Sequence, residues 1–130
     1  MGWLRRRSTR HDPPPQDVAE RLTSQSIFRV SSEHVPVTDR ETVQRWLRDL
    51  DPDLDQQVHV RRPWGAIAAV TDHRHPVGVV MADTENRSWA AYPPGGDERA
   101  ELTPEQVERL MLDALTSAQR PAWPDWRRLD

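Results

Sequence analysis

Two neighbouring apolar runs constrain this chain more than any other feature. Residues 64–71 (WGAIAAVT) and 76–82 (PVGVVMA) are rich in Ala and Val, and four polar residues separate them. Runs of this length and composition predict the two strands of a β-hairpin. Because successive positions are apolar, and not only every second one, we expect both faces of the hairpin to be covered. The rest of the chain must supply that cover.

Amphipathic helices are predicted on both sides of the hairpin. A capping-box pattern begins at Thr38. The apolar residues that follow it at helical spacing are Val43, Trp46, Leu47 and Leu50. A second capping box joins Thr103 to Gln106, and Pro104 suits the first helical position. The apolar side chains after it form one continuous face: Val107, Leu110, Met111, Ala114 and Leu115. We therefore predict two helices that pack on a sheet.

The segment before the first helix has a weaker pattern. Val18 and Leu22 lie four residues apart, which predicts a short helix over residues 17–24. Residues 27–30 then predict a short strand.

Two more strands adjoin the hairpin. Val58 and Val60 alternate with polar residues, which predicts a half-exposed strand, and residues 87–92 predict another. The sequence thus predicts an α+β domain over residues 17–117, with an antiparallel sheet of about four or five strands covered by two amphipathic helices.

Both ends of the chain are predicted to lie outside this domain. Residues 1–16 contain four Arg and three consecutive Pro, which predicts a disordered basic tail. Residues 118–130 are predicted to be an extended tail, because their prolines prevent a helix from continuing. Trp123 and Trp126 either staple this tail to the domain or anchor a partner.

Composition excludes several functional classes. The 18 basic residues are all Arg, so no lysine is available for a Schiff base or a phosphate-binding loop. No Cys is present to form a disulfide, a thiolate metal site or a thiol nucleophile. The net charge of -3 gives no global attraction to nucleic acid or to anionic lipid. The absence of Lys, together with abundant Pro, Ala, Asp and Val, indicates a GC-rich bacterial genome. We expect a cytoplasmic protein, because Cys is absent and no apolar run is long enough for export or membrane insertion.

Acidic residues cluster in two predicted turns. Asp51, Asp53 and Asp55 match the first three ligand positions of an EF-hand, but Gln56 and Arg62 occupy positions that need Gly and Glu. This segment is therefore predicted to be a solvated acidic loop or a contact patch for a basic partner.

The second acidic turn holds Asp83 and Glu85. Because Asp and Glu are common in turns and no acid–base partner can be assigned to them, an ordinary turn is predicted here too.

No pattern indicates catalysis or metal binding. His73, His75 and His59 are too few for a zinc site without further ligands, so residues 72–75 are predicted to be a polar loop. No serine lies in a nucleophile motif, and no glycine-rich phosphate loop is present. We therefore predict a non-enzymatic protein without metal or cofactor.

The C-terminal third resembles a known family. A capped helix from Leu102 leads into Arg120-Pro121 and a late Trp, at position 123 or 126. This order is similar to the end of small actinobacterial immunity proteins of polymorphic-toxin systems. Residues 117–119 (SAQ) stand where that family has a glycine turn, and Trp64 would begin the central strand. The resemblance implies a non-enzymatic protein that plugs the active site of a toxin, often a nucleic-acid deaminase.

An immunity protein with a basic protein partner is therefore the predicted function. The predicted partner-facing residues are Asp51, Asp53, Asp55, Trp64, Asp83, Glu85, Trp123 and Trp126. Two alternatives remain. One is an adaptor subunit of a larger assembly, and the other is a flavin-binding protein, because the hairpin is distantly similar to the first hairpin of flavin-binding split barrels.

Overall fold

Strands make up most of the regular structure. The computed structural model describes residues 17–26, 29–72 and 75–129, apart from the side chains of residues 25, 26, 72, 75 and 76. The strands are β1 (Val18–Ser26), β2 (Arg29–Pro36), β3 (Asp55–Arg62), β4 (Gly65–Asp72), β5 (His75–Asp83), β6 (Ser88–Tyr92) and β7 (Asp125–Arg128). Helix α1 (Arg40–Arg48) lies between β2 and β3, and helix α2 (Pro104–Ala114) lies between β6 and β7.

All seven strands form one antiparallel sheet in the order β2-β1-β3-β4-β5-β6-β7. The predicted α+β domain with four or five strands is therefore wrong, because the described chain is a larger sheet with two short helices. The sheet is open and has β2 and β7 at its edges. It lacks the closed barrel on which the flavin-binding alternative depends.

Strand β1 occupies the segment that was predicted to be a helix. Val18 and Leu22 lie four residues apart, and this spacing places two side chains on one face of a helix or on one face of a strand. The backbone of β1 pairs with β2 on one side and with β3 on the other, which satisfies its polar groups. Of the predicted strand 27–30, residues 29 and 30 begin β2, and the other two lie outside the described residues.

Both helices pack on one face of the sheet, which we call the inner face. Strand residues on this face are buried in the core: Ala19, Val58, Val60, Ile67, Ala69, Val79, Met81 and Ala91. Helix α1 contributes Val43, Trp46 and Leu47 to the same core, and α2 contributes Val107, Leu110, Met111, Leu112 and Ala114. The predicted core faces of the two helices are confirmed apart from two residues: Leu50 lies beyond the end of α1 and is only partly buried, and the buried Leu112 was not predicted.

The first residues of α2 agree with the prediction, whereas those of α1 do not. The capping box of α2 is confirmed, because the Thr103 hydroxyl accepts from the Gln106 amide at 3.1 Å and the Gln106 side chain accepts from the Thr103 amide at 2.9 Å. Helix α1 is capped by Asp39 and not by Thr38. The Asp39 carboxylate accepts from both the amide and the hydroxyl of Thr42.

The opposite face of the sheet, which we call the outer face, has no helix on it among the described residues. Among the residues of β4 and β5 whose side chains are described, this face holds Ala66, Ala68, Val70, Gly78, Val80 and Ala82. None of these six residues belongs to the core cluster, although Ala68 is itself buried by its neighbours. The expectation that both faces of the hairpin are covered is therefore wrong for the part of the chain that the structure describes.

The C-terminal segment returns to the sheet as edge strand β7. The guanidinium of Arg120 lies over the rings of Trp89 and Trp126, at 5.0 and 5.1 Å from their centroids. The Trp126 indole donates to the Pro121 carbonyl at 2.8 Å, and the Trp123 indole donates to Asp113 at 3.1 Å. Of the two alternatives for these tryptophans, the contacts match the staple.

Candidate functional site

The two predicted acidic turns lie at opposite ends of the sheet. Asp55 is the first residue of β3, whereas Asp83 is level with Gly65 and Arg62 at the far end of that strand. Seven residues of extended chain separate the two levels, which is about 23 Å at 3.3 Å per residue. The two acidic turns are therefore two separate clusters of charge and not one.

Asp83 organises the β5–β6 turn. Its carboxylate accepts hydrogen bonds from the amides of Glu85 and Arg87, the Arg87 guanidinium and the Trp89 indole, at 2.7 to 3.2 Å. Burial acts to raise the pKa of Asp83, but the hydrogen bonds from Arg87, Trp89 and Glu85 together hold it below its ordinary value. The side chain is only 13% exposed. Its negative charge is therefore paired inside the turn.

Trp64 also serves the fold. It lies in the β3–β4 turn, and its indole donates to the Ser117 carbonyl at 3.1 Å, which ties the turn to the end of α2. Arg62 donates to the same carbonyl at 3.2 Å. The next residue, Gly65, has a φ of +146°, and a Cβ there would lie 2.5 Å from the Ala82 carbonyl oxygen. The turn that places Trp64 therefore requires glycine after it.

A groove lies at the other end of the sheet, where the C-terminal end of α1 meets the N-terminal end of α2 above the start of β5. Its volume is about 510 Å³. The apolar lining residues are Leu47, Leu50, Pro52, Val77, Pro104 and Val107, and the charged ones are Arg48, Glu105 and Glu108. We call this feature the helix groove.

Negative charge predominates at the helix groove. Glu108 accepts from Arg48 through Nε at 2.7 Å and Nη2 at 3.3 Å, and these bonds lower the pKa of Glu108 against the opposing effect of burial. The same contact raises the pKa of Arg48, so the one positive charge among the described lining residues is already paired. Glu105 is exposed and forms no ion pair with a described residue.

The acidic loop after α1 adds to this charge. The Asp51 carboxylate accepts from the Asp53 amide at 2.9 Å, and the Asp51 amide donates to Gln56 at 2.9 Å, so the loop has a defined turn. Asp51 and Asp53 are exposed and have no ion pair among the described residues, and Pro52 between them lines the groove. Asp55 lies at an outer-face position of β3, away from the groove.

The described residues show no metal site. No group of three or more His, Asp or Glu side chains among them is placed to hold a metal ion. His73 and the side chain of His75 lie outside the described residues. His59 is half-buried on the outer face, and burial, aided by Arg61 and opposed by Glu20, lowers its pKa. No described helix has the length and apolar character needed to cross a membrane.

Sequence reasoning found Asp51 and Asp53 but missed most of the helix groove. Leu50 was assigned to the apolar face of α1, and Val77 to the hairpin, without a link between them. Glu105 and Glu108 follow Pro104 in the first turns of α2, so an acidic helix start was visible. Which loop it would meet depended on the packing of α1 against α2.

Comparison with family models, with curated proteins and with solved structures gave no match.

Proposed function

We propose that this chain is a non-enzymatic protein-binding module that neutralises a toxin by covering its active site. The observation that carries the proposal is the helix groove, where an apolar floor meets the carboxylate of Glu105 beside the loop that carries Asp51 and Asp53. None of these three carboxylates forms an ion pair with a described residue. Protein interfaces combine an apolar centre with a charged or polar rim in this way. An apolar side chain of the partner would occupy the floor, flanked by its basic residues.

The chemistry of the rim favours a partner that acts on nucleic acid. Such an enzyme must carry positive charge where it binds phosphates, and a negative rim would raise the rate of association with that surface. The resemblance of the C-terminal third to immunity proteins supports the same class of partner. The proposal places the protein in the cytoplasm, where an immunity protein would meet a toxin made in the same cell.

The residues that carry the resemblance do not need to touch the toxin. Arg120 lies between two indole rings, and Pro121 is buried and accepts from Trp126. These contacts attach β7 to the sheet, so we assign this motif to folding. The partner surface is then the helix groove, at the other end of α2.

The test measures binding of the toxin candidate encoded beside this chain. The variant with Asp51→Asn and Asp53→Asn keeps the side-chain oxygen that shapes the loop but removes two charges. We expect its affinity to fall about tenfold and its salt dependence to weaken. Pro52→Arg places a positive charge in the groove lining and should abolish capture. Glu85→Gln is the matched control, because it neutralises an exposed carboxylate at the far end of the sheet.

Two results would contradict the proposal. If both groove variants retain the wild-type affinity while Glu85→Gln loses it, the partner binds at the far end of the sheet and not at the groove. If the partner binds but keeps its enzymatic activity in the complex, the protein is an adaptor and not an inhibitor.

A further inference from the structure

The outer face of the sheet has an unusual pattern for a solvated surface. An antiparallel sheet with one face in water normally alternates apolar inward positions with polar outward positions. Over residues 66–70 of β4 and 78–82 of β5, all six outward positions hold Ala, Val or Gly. Gly78 and Ala82 are exposed, and Val70 and Val80 are partly exposed. A continuous apolar patch of this kind is typical of a protein interface.

Opposite charges flank this patch on its two sides. The strand register places Glu20 of β1, Ala68 of β4, Val80 of β5 and Arg127 of β7 at one level of the outer face. The Arg127 guanidinium donates to Asp125 of the same strand at 3.1 Å and lies on the ring of Tyr92, 4.0 Å from its centroid. Because Glu20 and Arg127 lie at similar distances from the centre of the patch, a rotation about that centre can exchange them.

We propose that the outer face is the interface of a homodimer, in which two sheets pack face to face about a two-fold axis parallel to the strands, between β4 and β5. Sheets that pack in this way keep their strands nearly aligned. The axis brings β4 of one copy onto β5 of the other, so Ala68 faces Val80 and Val70 faces Gly78. It also brings β1 of each copy onto β7 of the other, so Glu20 of each copy faces Arg127 of the other.

Charge selects this arrangement over the other face-to-face dimer. A two-fold axis across the strands would place Glu20 against Glu20 and Arg127 against Arg127, and like charges at an interface are unfavourable. Size complementarity agrees, because Ala68 faces the larger Val80 and Val70 faces Gly78. The outer face carries charges of both signs, whereas a basic toxin requires a negative surface. A second copy therefore fits this face, independently of the function proposed for the helix groove.

The first test measures the molar mass of the purified full chain by light scattering and by sedimentation over a range of concentrations. We expect a species of twice the 15.1 kDa chain mass. Val80→Arg should convert it to a monomer. Leu54→Arg is the matched control, because Leu54 is 47% exposed in the loop after α1, and it should leave the dimer intact. Circular dichroism and thermal melts establish that each variant is folded.

The second test uses the two-fold symmetry. Glu20→Arg and Arg127→Glu each create two repulsive contacts in their own homodimers, and each should weaken dimerisation about tenfold. In a mixture of the two variants, a heterodimer regains both attractive pairs. We therefore expect the mixture to dimerise with nearly wild-type affinity.

Three outcomes would overturn the inference. The first is a wild-type chain that stays monomeric at every concentration. The second is a dimer that survives Val80→Arg, which would place the interface elsewhere. The third is a pair of charge variants that do not rescue one another. If the wild type is monomeric and Val80→Arg instead prevents capture of the toxin candidate, the outer face holds that partner and not a second copy.

Discussion

At the scale of single residues, the charged and aromatic side chains that stood out in the sequence divide into two groups. Asp83, Trp64, Trp123 and Trp126 each form hydrogen bonds that fix a turn or attach a segment. Asp51 and Asp53 make only local contacts and keep their carboxylates exposed. Residue type alone could not separate these groups, because an aspartate in a turn has the same sequence signature whether or not its charge is paired.

Asp83→Asn should reduce stability in a pH-dependent way. The folded-state pKa of Asp83 lies below its ordinary value of 3.8, so its ionised form stabilises the fold above about pH 4 and this contribution is lost as the pH falls. Urea melts of wild type and variant should therefore differ most near neutral pH and converge under acid conditions. Glu85→Gln provides the control. A difference between wild type and Asp83→Asn that stays constant down to about pH 3 would contradict this account.

Trp64→Phe should destabilise the protein by about 1 kcal/mol, because it removes the indole donor to the Ser117 carbonyl but keeps an aromatic ring. Denaturant melts measure the loss. Capture of the toxin candidate should be unchanged, since Trp64 lies far from the helix groove. Unchanged stability together with weaker capture would make Trp64 a partner contact, as the sequence alone had suggested.

At the scale of elements, the strongest helix and strand patterns were predicted correctly. The capping box at Thr103 and the apolar face of α2 are present in the structure, as are the hairpin of β4 and β5 and the alternation of Val58 and Val60 in β3. These elements can be predicted from the sequence, because apolar residues recur with a fixed period along a helix with one buried face or a half-buried strand.

The missed elements lack such a pattern. Strand β2 is an edge strand with exposed side chains along nearly its whole length, so it shows no apolar alternation. Strand β7 has only four residues and follows a proline-rich segment. The spacing of Val18 and Leu22 in β1 fits a helix as well as a strand. Pairing with distant segments decides the structure at these positions, and a single sequence does not display that pairing.

The candidate site was predictable only in part for a related reason. The acidic loop is local in sequence and was found, whereas the helix groove needs Leu50, Val77 and Val107 to meet from three separate elements. Its position follows from the packing of α1 against α2. The uncovered outer face could not be predicted either. Apolar residues on both faces of a strand indicate that both faces are buried, but they do not indicate which element covers each face.

The helix packing on the inner face gives a direct prediction for stability. Leu110 is fully buried in the core, so Leu110→Ala should lower the free energy of unfolding by about 2 to 5 kcal/mol. Leu54→Ala removes the same atoms from a side chain that is 47% exposed. It should change the free energy of unfolding by less than about 0.5 kcal/mol. Guanidinium melts distinguish the two. A small loss for Leu110→Ala would mean that α2 does not pack on the sheet in solution.

At the scale of the whole molecule, the two proposed surfaces lie on different sides of the sheet. The helix groove lies among the helices of the inner face, and the apolar patch lies on the outer face. A dimer formed through the outer faces therefore leaves both helix grooves at the outside of the assembly.

This separation predicts that the homodimer captures two toxin molecules at once. Light scattering of the complex should give two copies of each chain, and Val80→Arg should reduce the complex to one copy of each without weakening the affinity per site, because it leaves the groove unchanged. Pro52→Arg should have the reverse effect: the dimer persists and capture is lost. A complex with one toxin per dimer, or a dimer that dissociates when the toxin binds, would mean that the two surfaces overlap or are coupled.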